Sequence, residues 1–442
     1  MKVGIVGAGY VGLIQALVMA GPDIQVVCCD SNERRVDELS DGIMPFEEPG
    51  ADELLMTCIE KGCIEFTTSM YKVYNECDVI FICVGTPSGE DGSCDTQYIY
   101  KVCSELASLD VNQLGMVAIP RLVVMKSTVP VGTNARMGEM FFDTNLFPIS
   151  SPEFLREGQA IEDSIRPDRN IIGVPEDSRS DWAFEKLAAL YRKLSAARSI
   201  RMSAESAEMV KYVANSYLAT RISFFNEMAV MCGLNGADVF EMLEGVTTDN
   251  RIGHKFTNPG IGFGGACFPK DVSSLHFQQR EMGMPGHILS DVLERNRDMR
   301  IRFFQEMIRT IGILNNRTVS KDIKISVLGA TFKANTSDCR ESPAIAIIDE
   351  MANFFLDLIV HDPMPKDAKE LLKQESISWV DHHHVFEREF LVRLNETKVS
   401  RRDLKEGSVK HLFDGRNDAS LKKTCEELGI SYYAIGSWPN VS

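Results

Sequence analysis

A glycine-spaced hexad, Gly7-Ala8-Gly9-Tyr10-Val11-Gly12, lies between the β-rich run Val3 to Val6 and the apolar helical stretch Leu13 to Met19. Few folds accommodate that arrangement. Gly7 permits a tight turn, Gly9 lets backbone approach a diphosphate, and Gly12 lets a helix pack closely on a strand. A diphosphate would sit at the helix N-terminus, where N–H groups and the helix dipole favour anions. Asp30 stands eighteen residues beyond Gly12, after the second β-rich run Ile24 to Cys29. A carboxylate there accepts from ribose hydroxyls and repels a 2′-phosphate, which selects NAD over NADP. The hexad, the strand, the helix and the acid together predict a dinucleotide-binding α/β domain.

Continuous apolar runs recur at Val79 to Val84 and Leu122 to Met125, the pattern of parallel strands buried on both faces. From Ala204 to Cys232 neither Pro nor Gly intervenes, and Met209, Tyr212, Val213 and Tyr217 recur at helical spacing. This reads as one long helix. Helical patterning then continues to about residue 312. Lys324 to Ala330 repeats the opening of the chain, a strand meeting glycine, with a helix from about Ser342 and an acid, Asp362, closing the next strand. The expectation is two Rossmann-like parallel-sheet domains, 1–200 and 313–442, joined by an all-helical central domain, 201–312, with one long helix.

Charge narrows the partners. The 442 residues carry a formal net charge of -16, which repels nucleic acid and anionic membranes. No apolar run approaches the roughly 20 residues of a membrane span, and the N-terminus enters a strand pattern without a signal-peptide cleavage region, so a cytoplasmic protein is expected. The 12 cysteines are spread out with no Cys-x-x-Cys pair, which argues for reduced, buried thiols over a disulfide framework or a zinc site.

Chemistry concentrates in Gly260-Ile261-Gly262-Phe263-Gly264-Gly265-Ala266-Cys267-Phe268-Pro269-Lys270-Asp271. The glycines let backbone N–H groups approach a ligand. A cysteine beside a lysine at a helix start is a setting in which a thiol becomes a better nucleophile, and Asp271 at i+4 shares its helix face. Lys211 and Asn215 share one face of the long helix, and Glu153 and Glu157 are also spaced i, i+4.

At these residues the chain resembles the UDP-glucose/GDP-mannose dehydrogenase family. The resemblance rests on Gly7 to Gly12, Val84-Gly85-Thr86-Pro87, Lys126-Ser127-Thr128-Val129-Pro130, Ser151-Pro152-Glu153-Phe154-Leu155-Arg156-Glu157-Gly158, Lys211 with Asn215, the Cys267 loop, and Phe332-Lys333 followed by Arg340-Glu341-Ser342. It implies NAD-dependent oxidation of a nucleotide-sugar C6 alcohol to a carboxylate in two steps. Cys267 would form a thiohemiacetal and then a thioester, and Asp271 with Thr128 would position the water that hydrolyses it. Lys211 and Asn215 would donate to the oxyanion and the sugar oxygen, with Glu153 assisting proton transfer. The resemblance places Tyr10, Val11, Arg35, Thr86, Pro87, Ser127, Thr128, Glu157 and Arg340 at the cofactor. Phe154, Leu155, Arg251, Lys255, Asn258, Gly264, Phe332, Lys333 and Arg416 would hold the nucleotide sugar. It further implies ligands bound between the two α/β domains, and dimers, or assemblies of dimers, in which Arg251 reaches the neighbouring subunit's substrate.

Ser151-Pro152-Glu153 and Phe268-Pro269-Lys270-Asp271 resemble the UDP-glucose branch of the family more than the GDP-mannose branch, and GDP-mannose and UDP-N-acetylhexosamines are the rival substrates within the class. A two-electron hydroxyacid dehydrogenase of similar layout, or a non-catalytic NAD-binding protein, is the rival from another class. Trp379 to Ser408 lacks a clean apolar strand before Asp414-Gly415-Arg416, leaving strand order there open, and His382-His383-His384 is read as an exposed loop.

Overall fold

The computed structural model describes residues 1–111, 120–315 and 319–438. The chain forms two compact units, Met1–Ala214 and Asn215–Ser442.

In the first unit the strands are β1 (Lys2–Val6), β2 (Gln25–Cys29), β3 (Ile64–Thr67), β4 (Val79–Ile82), β5 (Arg121–Met125), β6 (Leu146–Ser150), β7 (Asn170–Val174) and β8 (Ser199–Ser203). They form one sheet in the order β3-β2-β1-β4-β5-β6-β7-β8. Every neighbouring pair is parallel except β6 and β7, joined antiparallel at Ser150 and Gly173. Val79, Ile80, Phe81 and Ile82 are all fully buried, as a central strand covered on both faces requires. One face packs Ile5, Leu13, Phe81 and Val124; the other packs Val6, Ile80, Val123 and Leu146.

The second unit carries β9 (Ile325–Leu328), β10 (Leu358–His361), β11 (Ile377–Trp379), β12 (Phe390–Arg393), β13 (His411–Asp414) and β14 (Ser431–Ala434). Their order is β11-β10-β9-β12-β13-β14, parallel throughout. Counted from its own first strand, this is the 3-2-1-4-5-6 order of the first six strands of the chain, so the repeat expected from the sequence holds at the level of topology. The helices Val239–Thr247 and His287–Leu314 share a hydrophobic core with this sheet, through Leu243, Phe303, Met307, Val327 and Ile347.

The region read as lacking a strand needs correction. Phe390-Leu391-Val392-Arg393 is a buried strand between β9 and β13. It is only four residues long and ends in arginine, so its apolar run is too short to stand out. Buried Arg393 is compensated by Asp414, Asp418 and the Thr397 carbonyl. The histidine triplet forms a 3-10 turn, His382–Phe386, in which His382 reaches Asp403 and His384 reaches Glu387.

The long helix runs Ala204–Asn235, three residues past the expected end, about 48 Å at 1.5 Å per residue. Residues 204–214 belong to the first unit and 215–235 to the second. Tyr212 is buried, whereas Met209, Val213, Tyr217, Phe224 and Met231 are exposed along one side. Among the described residues no helix is long and apolar enough to cross a membrane.

Candidate active site

The glycine hexad folds as its spacing predicts. Gly7 has φ of 99°, and a Cβ there would lie 2.8 Å from the Cys83 carbonyl oxygen. A Cβ on Gly12 would meet the Gly7 carbonyl oxygen at 1.9 Å. At Gly9 the same atom would meet nothing within 4 Å, so one side of the loop is open where a diphosphate needs to approach. Gly9 starts the helix Tyr10–Met19 with no side-chain cap, leaving its first N–H groups for an anion.

Asp30 does more than its place in the sequence suggests. Its Oδ2 accepts from the Ala8 N–H at 2.7 Å and its Oδ1 from the Asn32 N–H at 2.9 Å, so it shapes the glycine loop itself. Each oxygen keeps a second lone pair beyond these bonds. Asn32 also caps the helix on which Arg35 sits half-buried. Sequence reasoning missed Glu48. Its buried carboxylate accepts from Tyr10 Oη at 2.5 Å, Gly158 N at 2.6 Å and Ala160 N at 2.7 Å, tying the hexad helix to the segment that carries Glu157.

Further groups gather at the ends of β4, β5 and β6. Thr86 is buried; Pro87 accepts from the Asp95 N–H; Ser127 donates to the Val84 carbonyl at 2.7 Å, fixing the segment that continues into Thr128. Glu153 does not share a helix face with Glu157, because the chain between them is non-helical. Instead Glu153 is buried and pairs with buried Lys211, Nζ to Oε1 at 2.7 Å, while its Oε2 accepts from the Leu155 N–H. Burial opposes the charge on Glu153, but the Lys211 ammonium, the Leu155 N–H and the charge of Lys126 together hold its pKa below the usual carboxylate value. Lys211 also lies 5.5 Å from the centre of the Phe154 ring.

The sequence marks Lys126 only as part of a motif. It is buried, donates to Tyr191 Oη at 3.3 Å, and Tyr191 is 2.7 Å from Ser151 Oγ, which donates to the Ile171 carbonyl.

In the second unit Cys267 is the residue from which the helix Phe268–Glu281 starts, and it is partly exposed, whereas ten of the twelve cysteines are buried. The Asp271 N–H closes the first turn on the Cys267 carbonyl at 2.8 Å. Asp271 is 1% exposed, and its carboxylate accepts from Asn215 Nδ2 and Lys270 Nζ, each at 2.6 Å. Asp271 is thus tied to Cys267 through the backbone of the first helical turn and to Asn215 through its side chain.

The loop before Cys267 is tightly seated. Gly260 N donates to Asn226, and the Ile261 N–H reaches the Gly415 carbonyl. Asn296 clamps Phe263 from both backbone groups. A Cβ on Gly264 would lie 2.5 Å from the Glu341 carbonyl oxygen. Asn226 and Asn296 were missed; single asparagines within helices give no local signal.

Phe332 and Lys333 are half-buried beside this loop, and Arg416 donates to the Phe332 carbonyl while pairing with Glu396. Arg416, Asn258 and His254 share the lining of a cavity of about 720 Å³. Arg340 pairs with Asp338. Arg251 and Lys255 are exposed, and Arg251 pairs with Asp249 in its own loop, which Arg221 holds by the Ile252 and Gly253 carbonyls.

The second sheet's own glycine turn is closed. Asp362, the counterpart of Asp30, is buried and accepts from Ala330 N, Thr331 N and Thr331 Oγ1. Asn395 donates to Asp362 and Thr331, and its Oδ1 lies 2.2 Å from where a Cβ on Gly329 would sit.

Comparison with known proteins agrees with this division of labour. Residues 1–195 match the NAD binding domain of the UDP-glucose/GDP-mannose dehydrogenase family, 205–298 its central domain and 326–418 its UDP binding domain. The UDP-glucose 6-dehydrogenase TuaD of Bacillus subtilis is 34% identical, covering 98% of this chain and 93% of its own. The UDP-glucose 6-dehydrogenase of Pseudomonas aeruginosa is 34% identical over 99% of this chain and 97% of its own. Among solved structures, a UDP-glucose dehydrogenase from Pyrobaculum islandicum superposes with a TM-score of 0.85 at 29% identity, covering 99% of this chain and 98% of that one.

Proposed function

Because the chain belongs to the UDP-glucose/GDP-mannose dehydrogenase family, we propose that it oxidises C6 of UDP-glucose to the carboxylate, giving UDP-glucuronate. Per sugar, the alcohol, one water and two NAD⁺ give the carboxylate, two NADH and three protons. The observation that carries the reading is Cys267 at the start of its helix, with Asp271 held on the first turn by Asn215 and Lys270. A two-electron dehydrogenase needs no such thiol.

The open face at Gly9, the uncapped helix start and the free lone pairs of Asp30 fit a dinucleotide with an unphosphorylated ribose. Bound NAD supplies the hydride acceptor. The residues of the chain do the rest. Lys211, paired with Glu153, donates to the C6 oxygen and stabilises charge that develops on it. Glu153, kept as a carboxylate, takes up the alcohol proton through water. The Cys267 thiolate adds to the aldehyde carbon, forming a C–S bond and a thiohemiacetal that cannot escape. Loss of the second hydride leaves a thioester. Water, oriented by Asp271 and Thr128, adds to it and expels the thiolate, and Asn215 steadies Asp271 throughout. Lys255, Asn258, Phe332, Lys333 and Arg416 hold the UDP moiety, offsetting the chain's net charge of -16 locally.

We also propose a cytoplasmic dimer with Arg251 acting on the neighbouring subunit's substrate, and three functional segments, 1–200, 201–312 and 313–442. The apolar stripe Met209, Val213, Tyr217, Phe224 and Met231 supports the dimer, since a self-complementary helix face suits a two-fold interface. The exposure of Arg251 supports action in trans.

The test is purified protein with NAD against UDP-glucose, GDP-mannose and UDP-N-acetylhexosamines, counting NADH formed per sugar consumed. A ratio of two on UDP-glucose is expected. A ratio of one removes the thioester route, and turnover confined to another sugar moves the substrate assignment.

A further inference from the structure

Glu208 lies one turn before Lys211 on the long helix and is 3% exposed. Among the described residues no lysine, arginine or histidine pairs with it. Its Oε2 accepts from the Gly132 N–H at 2.7 Å, its Oε1 from the Asn134 N–H at 2.8 Å, and Ser150 Oγ lies 3.4 Å from Oε1. Gly132, at φ of 96°, begins the helix Thr133–Met140, so the carboxylate caps that helix from outside its own segment. The loop from Thr128 to Gly132 is therefore tied at one end by Ser127 to the Val84 carbonyl and at the other by Glu208. One turn on, Lys211 ties down Glu153 in the segment that follows Ser150. Two residues of one helix thus fix two neighbouring loops.

We propose that Glu208 is a positioning residue for the oxidation: ionised, its carboxylate holds the Thr128 loop in register with Lys211 and Glu153, and protonation releases one of the two anchors. The proposal rests on the reading above in assigning Thr128 to thioester hydrolysis. The two anchoring N–H groups address different oxygens. Adding a proton to either oxygen turns an acceptor into a donor that faces an N–H, so a neutral carboxyl can keep only one bond at full strength. Burial, helped by the charge of Glu205 on the same helix, raises the Glu208 pKa to about 7 against the opposing pull of the Gly132 and Asn134 N–H groups and the Ser150 hydroxyl. The release then falls within the neutral range.

The experiment uses the full-length enzyme with NAD and UDP-glucose, from pH 5.5 to 9, comparing wild type with Glu208→Gln and Glu208→Asp. Glutamine presents one acceptor oxygen at every pH; aspartate is one methylene too short to span both N–H groups. The expected wild-type kcat falls on the acid side with a midpoint near 7. Glu208→Gln should lose that limb and be tenfold or more slower, with KM for NAD within about twofold, because Gly9 and Asp30 are untouched. Its first-turnover NADH burst should persist while steady-state turnover slows, with the sugar accumulating on Cys267 by mass spectrometry. Hydrogen exchange at the Gly132 and Asn134 amides, corrected for intrinsic rates, reads the anchor without catalysis, and one of the two should lose protection below pH 7 in wild type. A Glu208→Gln enzyme with wild-type kcat and the same acid limb overturns the proposal. So does wild-type amide protection that does not change with pH. Wild-type protein inactive on every nucleotide sugar would overturn the functional reading instead, and the exchange measurement would still decide what Glu208 does.

Discussion

Replacing Lys211 by methionine separates what the buried ion pair contributes to folding from what it contributes to chemistry. Lys211 and Glu153 are 3% and 7% exposed at the side chain and 2.7 Å apart. Methionine matches the length of the lysine stem and leaves Glu153 still bonded to the Leu155 N–H but without the ammonium. Removing one member of a buried pair costs about 3–5 kcal/mol, because the remaining charge is stranded. For a unit of this size that is a fall in Tm of about 6–20 °C. The sign with pH follows from the depressed Glu153 pKa. In wild type the ionised carboxylate stabilises the fold above the unfolded-state pKa, and that contribution is lost as pH falls through the lower folded value. In Lys211→Met, burial acts without the ammonium, so the deficit should be widest near neutrality and shrink as acid neutralises Glu153. Adding Glu153→Gln removes the stranded charge while keeping an acceptor for Leu155, and should bring stability back to within about 1–2 kcal/mol of wild type. Neither variant should regain turnover. Urea unfolding at pH 7.5 and 4.5, with hydrogen exchange in β4 to β6 to read the first unit, decides the matter. Equal stability of Lys211→Met and wild type, or a deficit that does not change with pH, would refute the reasoning.

Other outcomes follow from the same geometry. Asp30→Asn should raise turnover with NADP relative to NAD and cost about 1–3 kcal/mol, since one loop N–H loses its acceptor; wild-type turnover as fast with NADP as with NAD would refute the ribose assignment. Cys267→Ser should bind NAD and UDP-glucose in calorimetry yet release no glucuronate at the wild-type rate, because an alkoxide is a far poorer leaving group than a thiolate. Mixing Arg251→Ala with Cys267→Ser subunits should restore part of the activity after exchange, as one site of each mixed dimer is intact. Verified mixed dimers without activity, or a fully active monomer in sedimentation, would exclude action in trans.

Much of this was legible where function is written locally. The glycine hexad announces its own backbone, since Gly7 needs positive φ and Gly12 has no room for a Cβ. Cys267 and Asp271 are one turn apart, so their association follows from helix geometry alone. Long-range pairing left weaker traces. Glu48 meets Tyr10 and Gly158 across loops, and Glu208 meets Gly132 across 76 residues. Nothing in the residues flanking either acid distinguishes it from a solvated one. Glu153 and Glu157 show the opposite failure: a spacing that suits a helix, in a segment with no helix to use it. Strand β12 was hidden because four residues are enough when both neighbours are already in place.

The closed glycine turn of the second sheet has a stoichiometric consequence. With Asn395 and Asp362 filling that turn, the described chain offers one dinucleotide cradle, whereas the proposed conversion consumes two equivalents of oxidant. The same cradle must therefore be emptied and refilled midway through each catalytic cycle. During that exchange a free aldehyde would have its best chance to diffuse away. On the proposed route a covalent tether makes the wait harmless, so the sealing of one half of a duplicated fold and the role proposed for Cys267 are two sides of a single timing problem.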